Sequence, residues 1–144
     1  MRQAAPVRLS SSFVALASAL LLVPAASAAS PNAFRLPSGN VGCIYSDASV
    51  TGRASLRCDV RFGLRPVPRA RCEQDWTGIV FPTASKPRSE CAGDTAIDSR
   101  ARVIPYGGRW TRGGYTCLSQ RIGLRCTRSN GHGLFLSRSS WRVY

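Results

Sequence analysis

The sequence predicts an all-β fold: a small disulfide-stapled sandwich or barrel of short antiparallel strands, with little or no helix. Three observations carry this expectation. No window of about eleven residues holds a sustained 3.6-residue apolar period, the mark of an amphipathic helix. Short apolar or alternating runs recur roughly every ten residues, separated by turn formers drawn from 13 glycines and 9 prolines. The 6 cysteines are even in number and begin only at Cys43, downstream of an export signal, where pairing is the default chemistry.

That signal is legible residue by residue. Arg2 and Arg8 precede the apolar run Phe13 to Val23, a helix-breaking Pro24 and an Ala26-Ser27-Ala28 cleavage site, so residues 1–28 read as a secretory signal peptide. The run is too short to span a bilayer, no cysteine follows the cleavage site to take a lipid, and no hydrophobic tail ends the chain at Tyr144. Residues 29–144 suffice for one domain and not two. They are expected to be secreted, extracellular or held at the cell envelope. The formal charge of +13 falls to about +11 once Arg2 and Arg8 leave with the signal. Every basic residue except Lys86 is arginine, a bias that a GC-rich genome produces. It speaks for adsorption to anionic surfaces and not for one phosphate contact.

In chain order, Phe34 to Asn40 is an extended approach into a Ser38-Gly39-Asn40 turn. Val41 to Tyr45 and Ala54 to Asp59 read as partner strands around a loop, Ser46 to Gly52. Arg61, Arg65, Arg69 and Arg71 follow, with Pro66 and Pro68 among them. Prolines so placed exclude a helix interior or a central strand. This stretch is expected to be an extended connector, solvated by its own repelling charges rather than an anion-binding arm. Gly78 to Phe81, bounded by Pro82, is a short buried strand. Ala96 to Arg100 fits either one helical turn capped by Asp94 or a loop. Arg102 to Ile104 runs as a strand into the Pro105-Tyr106-Gly107-Gly108 turn.

Gly113 to Arg138 is the most informative stretch. If Cys117 and Cys126 face each other across a hairpin, Gln120 to Gly123 is its loop, and Gly123 supplies the left-handed conformation such a loop needs. Leu134 to Ser137 and Trp141 to Tyr144 are the last strands, with Trp141 and Val143 on one face. Six cysteines allow fifteen connectivities. Pairing neighbours, Cys43 with Cys58, Cys72 with Cys91 and Cys117 with Cys126, gives three short loops, each constraining the unfolded chain by roughly 3 kcal/mol. Leu56-Arg57-Cys58 returns as Leu124-Arg125-Cys126, so two of these units share a grammar.

Residues that carry chemistry are few. His132, the only histidine, sits in Asn130-Gly131-His132-Gly133. An imidazole can serve as general acid, general base or ligand anchor, and its backbone between glycines is approachable, yet a turn residue with one fixed hydrogen bond accounts for it as well. There is no Gly-x-Ser-x-Gly elbow, no Cys-x-x-Cys pair and no phosphate-cradling glycine loop. Asp94 and Asp98 alone make a poor calcium site. No catalytic residue, metal or cofactor is expected. A ribonuclease-like hydrolase would need Glu73 or Glu90 as base, Arg109 for the phosphate and His132 as acid, on a helix-backed sheet for which the sequence holds no helix.

Several short motifs occur in a set order: Pro37-Ser38-Gly39-Asn40-Val41-Gly42-Cys43, Leu56-Arg57-Cys58-Asp59, Asp75-Trp76, Cys91-Ala92-Gly93-Asp94-Thr95, Pro105-Tyr106-Gly107, Gly123-Leu124-Arg125-Cys126, and Gly131-His132-Gly133 followed by Ser137-Arg138. In this order, from Phe34 to Tyr144, the chain resembles a family of small secreted proteins of unknown function common in actinobacteria. It departs from the pattern at Leu134, where phenylalanine is expected, and at Arg128, where asparagine is expected. The resemblance implies export and three disulfides and brings no activity.

The expected function is therefore that of a non-catalytic extracellular or envelope domain that displays loops to a partner: an anionic envelope polymer, a glycan or another protein. Arg128, Asn130 and His132, with Tyr106 and Trp110 as aromatic neighbours, form the expected site, because loops on rigid scaffolds carry recognition. Two alternatives belong to other classes. One is a secreted hydrolase inhibitor that presents Arg121 and Ile122 at a rigid hairpin tip. The other is a small secreted hydrolase centred on His132.

Overall fold

A computed structural model describes residues 29–144; the signal-peptide expectation, residues 1–28, lies outside the described residues. Strands β1 (Ala33–Arg35), β2 (Val41–Ser46), β3 (Ser55–Val60), β4 (Asp75–Pro82), β5 (Arg88–Ala92) and β6 (Arg102–Val103) make a 6-stranded sheet in the order β5-β4-β3-β2-β1-β6. Strands β7 (Arg109–Arg112), β8 (Tyr115–Gln120), β9 (Gly123–Arg128), β10 (Gly133–Leu136) and β11 (Trp141–Val143) make a 5-stranded sheet in simple chain order. Both sheets are meanders, and they pack face to face as a sandwich. One pairing departs from the antiparallel expectation: β6 lies parallel to β1, because the chain leaves β5 at one edge and crosses the whole sheet to reach the other. The expected loop between β2 and β3 contains one helical turn, α1 (Ala48–Thr51), which Asp47 caps by accepting from the Ser49 N–H.

Alternation fills the core. Inward positions of β2 and β3 contribute Val41, Cys43, Leu56 and Cys58, and those of β8 to β10 contribute Tyr115, Cys117, Leu124, Cys126, Leu134 and Leu136, all buried in one cluster. Two disulfides lie inside it. Cys43 and Cys58 are directly opposed on β2 and β3, with Cα atoms 4.1 Å apart. Cys117 and Cys126 are directly opposed on β8 and β9, with Cα atoms 4.0 Å apart. The third, Cys72–Cys91, ties the chain before β4 to β5. All three are neighbour pairings. Between the sheets, Phe34 stacks on Trp110 with ring centres 4.6 Å apart, and Tyr115 meets Phe81 edge-on at 5.1 Å. The Tyr115 hydroxyl, which burial would otherwise leave unpaired, donates to the Phe81 carbonyl.

The hairpin tip is tighter than the sequence suggests. Gln120 and Gly123 are themselves paired, so the turn is Arg121-Ile122 alone. Gly123 has φ +147° as the first residue of β9, outside the left-handed helical well, and a Cβ there would stand 2.6 Å from the Leu136 carbonyl.

The crossing from β5 to β6 is a strap over the outer face of the larger sheet. Gly42, Asp59 and Gly78 form one row across β2, β3 and β4, and Ile97 lies against Gly42, where a Cβ would be 3.0 Å from the Ile97 Cα. Gly42 makes room for the strap and Gly78 for Asp59, which between them is the latch. Its carboxylate is fully buried and accepts from the Ala96 N–H at 2.8 Å and from Arg57 Nε and Nη2 at 3.1 and 2.8 Å. Arg57 continues into the strap, donating to the Asp94 carboxylate at 2.8 Å and to the Asp94 carbonyl at 2.9 Å.

Candidate functional site

The expected loop is a hydrogen-bonded turn. Asn130 Oδ1 accepts from the His132 N–H at 3.1 Å, and the His132 carbonyl accepts from the Arg128 N–H at 3.0 Å. Arg128 leans back over the Tyr115 ring, 4.5 Å from its centre, and donates to the Gly113 carbonyl at 2.8 Å. Burial pushes the Tyr115 phenol above its usual 10.0, and the Arg128 charge pulls it the other way. Arg128 thus serves the packing of the β7–β8 turn.

The structure does not gather the expected set into one place. Trp110 is buried against Phe34 in the core, so it presents no surface ring to the loop. Tyr106 lies by the hairpin tip, with the Arg121 guanidinium 5.1 Å from its ring centre. Strand β9 separates that tip from Arg128, which pairs with Tyr115 at the far end of the hairpin. Asn130, Arg128 and His132 alone remain together. No ion pair among the described residues involves His132, whereas Glu73 lies near Arg71 at 3.7 Å.

The connector Arg61 to Arg71 is not a merely solvated loop. Its Leu64 is buried in the core and donates its N–H to the Trp76 carbonyl at 2.7 Å; Pro66 accepts from Trp141 Nε1, also at 2.7 Å. Anchored in this way, it walls a groove of about 800 Å³ that contains Phe62, Val67, Trp76, Arg61, Arg65 and Arg71. Phe62 is 69% exposed. The groove also holds Asp75 and Asp94, so its charge is mixed.

A third surface differs from both. No acidic residue occurs after Asp98, so every carboxylate side chain lies in the part of the chain that builds the larger sheet and its strap. The 5-stranded sheet carries Arg109, Arg112, Arg125, Arg128 and Arg142 on its strands, and Arg121 and Arg138 on its turns, with no acidic side chain among them. On its outer face, register places Arg109, Leu118, Arg125, Phe135 and Arg142 side by side, one from each strand. Cation and apolar side chain alternate across the whole sheet. Thr111, Thr116 and Thr127 form the next row.

This face is open and pre-arranged. Arg109, Arg125 and Arg142 are exposed, and Leu118 and Phe135 are half-buried. Tyr144 folds over Gly133, where a Cβ would be 2.6 Å from its ring, and its hydroxyl accepts from Arg125 Nε at 3.1 Å. That hydrogen bond raises the Arg125 pKa further above the ordinary guanidinium range. Arg142 stands 5.8 Å from the centre of the Phe135 ring. Phe135, Arg125, Arg142, Trp141 and Tyr144 line a shallow hollow of about 650 Å³. The sequence held a signal for this face, the end of the acidic residues at Asp98, but only strand register turns spaced arginines into a row.

Among the described residues no group of His, Cys, Asp and Glu is placed to hold a metal, and no helix is long and apolar enough to cross a membrane. A protein-family model described as a family of unknown function (DUF6636) matches residues 15–144. No curated protein and no solved structure matches the chain.

Proposed function

For this chain, a member of the DUF6636 family of unknown function, we propose a non-catalytic recognition role: an exported domain, residues 29–144 behind a signal peptide of residues 1–28, that binds an anionic extracellular polymer on the outer face of its 5-stranded sheet. Three disulfides fit an oxidising compartment. The observation that carries the reading is the acid-free row Arg109–Leu118–Arg125–Phe135–Arg142. An arginine fork recognises carboxylate or phosphate in two parallel hydrogen bonds, and here three forks stand on strands rather than on mobile loops. No side-chain carboxylate of their own sheet competes with a ligand for them.

The larger sheet offers the contrast. Its Arg57 occupies the same place in its hairpin as Arg125 does in the second, but Asp59 and Asp94 consume it. One grammar gives a structural ion pair on one sheet and, on the other, a cation that no side-chain carboxylate pairs.

Arg125→Ala and Arg142→Ala are each expected to weaken binding to an anionic polymer about tenfold, the equivalent of one charge-assisted hydrogen bond of roughly 1.5 kcal/mol. Each variant should also flatten the salt dependence of binding. Arg53→Ala, in the connection before β3, and Arg88→Ala, on β5, should change neither. Titration of each variant against a fluorescent polyanion at several salt concentrations makes the comparison. Equal losses for all four variants would show that net charge alone does the binding, and would end the proposal.

A further inference from the structure

We infer that this face is cut for an acidic glycan that carries its charge on every second sugar ring and lies across the strands; the inference rests on the recognition role proposed above. Adjacent strands are about 4.8 Å apart, so Arg109, Arg125 and Arg142, each two strands from the next, repeat at about 10 Å. A β-linked pyranose chain advances by close to one strand spacing per ring. A disaccharide repeat with one carboxylate therefore brings an anion to each arginine and an uncharged ring to Leu118 and Phe135 in between.

The chemistry of the intermediate positions agrees. The apolar face of a pyranose stacks best on an aromatic ring, as Phe135 offers, and packs less tightly on an aliphatic side chain, as Leu118 offers; ring hydroxyls need small hydrogen-bonding partners, as the Thr111, Thr116 and Thr127 row offers. Tyr144 holds Arg125 by its Nε and leaves both terminal nitrogens of the fork for a carboxylate. A polyphosphate or nucleic acid is charged at every repeat, at spacings that differ from the strand spacing, so its phosphates fall out of step with the arginines and bring charge onto Leu118 and Phe135. A glycan with a carboxylate on every ring suffers the same mismatch.

The test titrates the oxidised, purified protein, at one salt concentration, with hyaluronan oligosaccharides, which bear a carboxylate on alternate rings. Matched lengths of oligogalacturonate, charged on every ring, of oligouridylate and of polyphosphate serve as competitors. Hyaluronan is expected to bind at least about tenfold more tightly than each of the others. Phe135→Leu, which keeps an apolar side chain on β10 and so guards the fold, should cost hyaluronan several-fold and leave polyphosphate binding unchanged. If all the polyanions bind alike and Phe135→Leu weakens none of them, the alternating-charge ligand is wrong while the anion-binding face stands. Tighter binding of oligouridylate, polyphosphate or oligogalacturonate than of hyaluronan would likewise overturn it. Binding of no polyanion would remove the recognition role and this inference together.

Discussion

Reduction of the disulfides is expected to unfold this protein outright. Cys43–Cys58 and Cys117–Cys126 are the covalent rungs of the two central hairpins, one per sheet, and their sulfurs belong to the buried core. Removing one native disulfide from a small secreted domain costs about 2–5 kcal/mol. Removing three approaches or exceeds the roughly 5–15 kcal/mol that holds a domain together. Urea melts followed by tryptophan fluorescence, with and without reductant, measure this: Trp110 is buried between the sheets and reports their separation. Cys117→Ala/Cys126→Ala should by itself lower stability by about 3 kcal/mol, because it opens a link across 9 residues and leaves space in the core. A reduced protein with an unchanged midpoint would contradict the placement of these bridges.

Asp59→Ala is expected to cost about 3 kcal/mol or more. The substitution strips a buried carboxylate from Arg57 and from the Ala96 N–H, so a partly buried cation and a strap amide both lose their partner. Damage should begin locally, with hydrogen exchange at Ala96 and Ile97 accelerating more than in the 5-stranded sheet. Full protection of the strap in the variant would show that it is held by packing alone. Acid bears on the same network. The hydrogen bond from Arg57, and then its charge, hold the Asp94 carboxyl below its ordinary 3.8. A lowered carboxylate pKa contributes stability above the unfolded value, and loses it as pH falls through the folded one. The Asp94 link should therefore be intact above about pH 4 and released only below its folded pKa.

Much of the fold was legible because alternation and cysteine spacing are local. The hairpin around Cys117 and Cys126, the strand at Gly78 to Phe81 and the final pair ending at Val143 all follow from short patterns. Two strands were harder to see. β5, Arg88-Ser89-Glu90-Cys91-Ala92, is an edge strand with no apolar run, and β7, Arg109-Trp110-Thr111-Arg112, buries Trp110 alone. The parallel β6 depends on a crossing of the whole sheet, which no local pattern encodes.

The candidate site was less legible for the same reason. Arg109, Leu118, Arg125, Phe135 and Arg142 are scattered over the sequence and become neighbours only through register. Trp110 looked like a surface aromatic because a lone tryptophan in the polar run Arg109-Trp110-Thr111-Arg112 gives no clue to its facing. Arg57 and Arg125 share a motif, but Arg57 is paired by Asp59 on its own strand and by Asp94 on the strap, whereas Thr127 stands where Asp59 would in the second hairpin.

The most direct measurement is chemical-shift mapping of the isotope-labelled, oxidised protein titrated with an anionic polymer. Perturbations are expected to concentrate on Arg109, Leu118, Arg125, Phe135, Arg142 and Tyr144, and to leave the strap and the Phe62 groove unmoved. Shifts centred on Phe62, Val67 and Trp76, or spread evenly over every arginine, would contradict the assignment of recognition to this face.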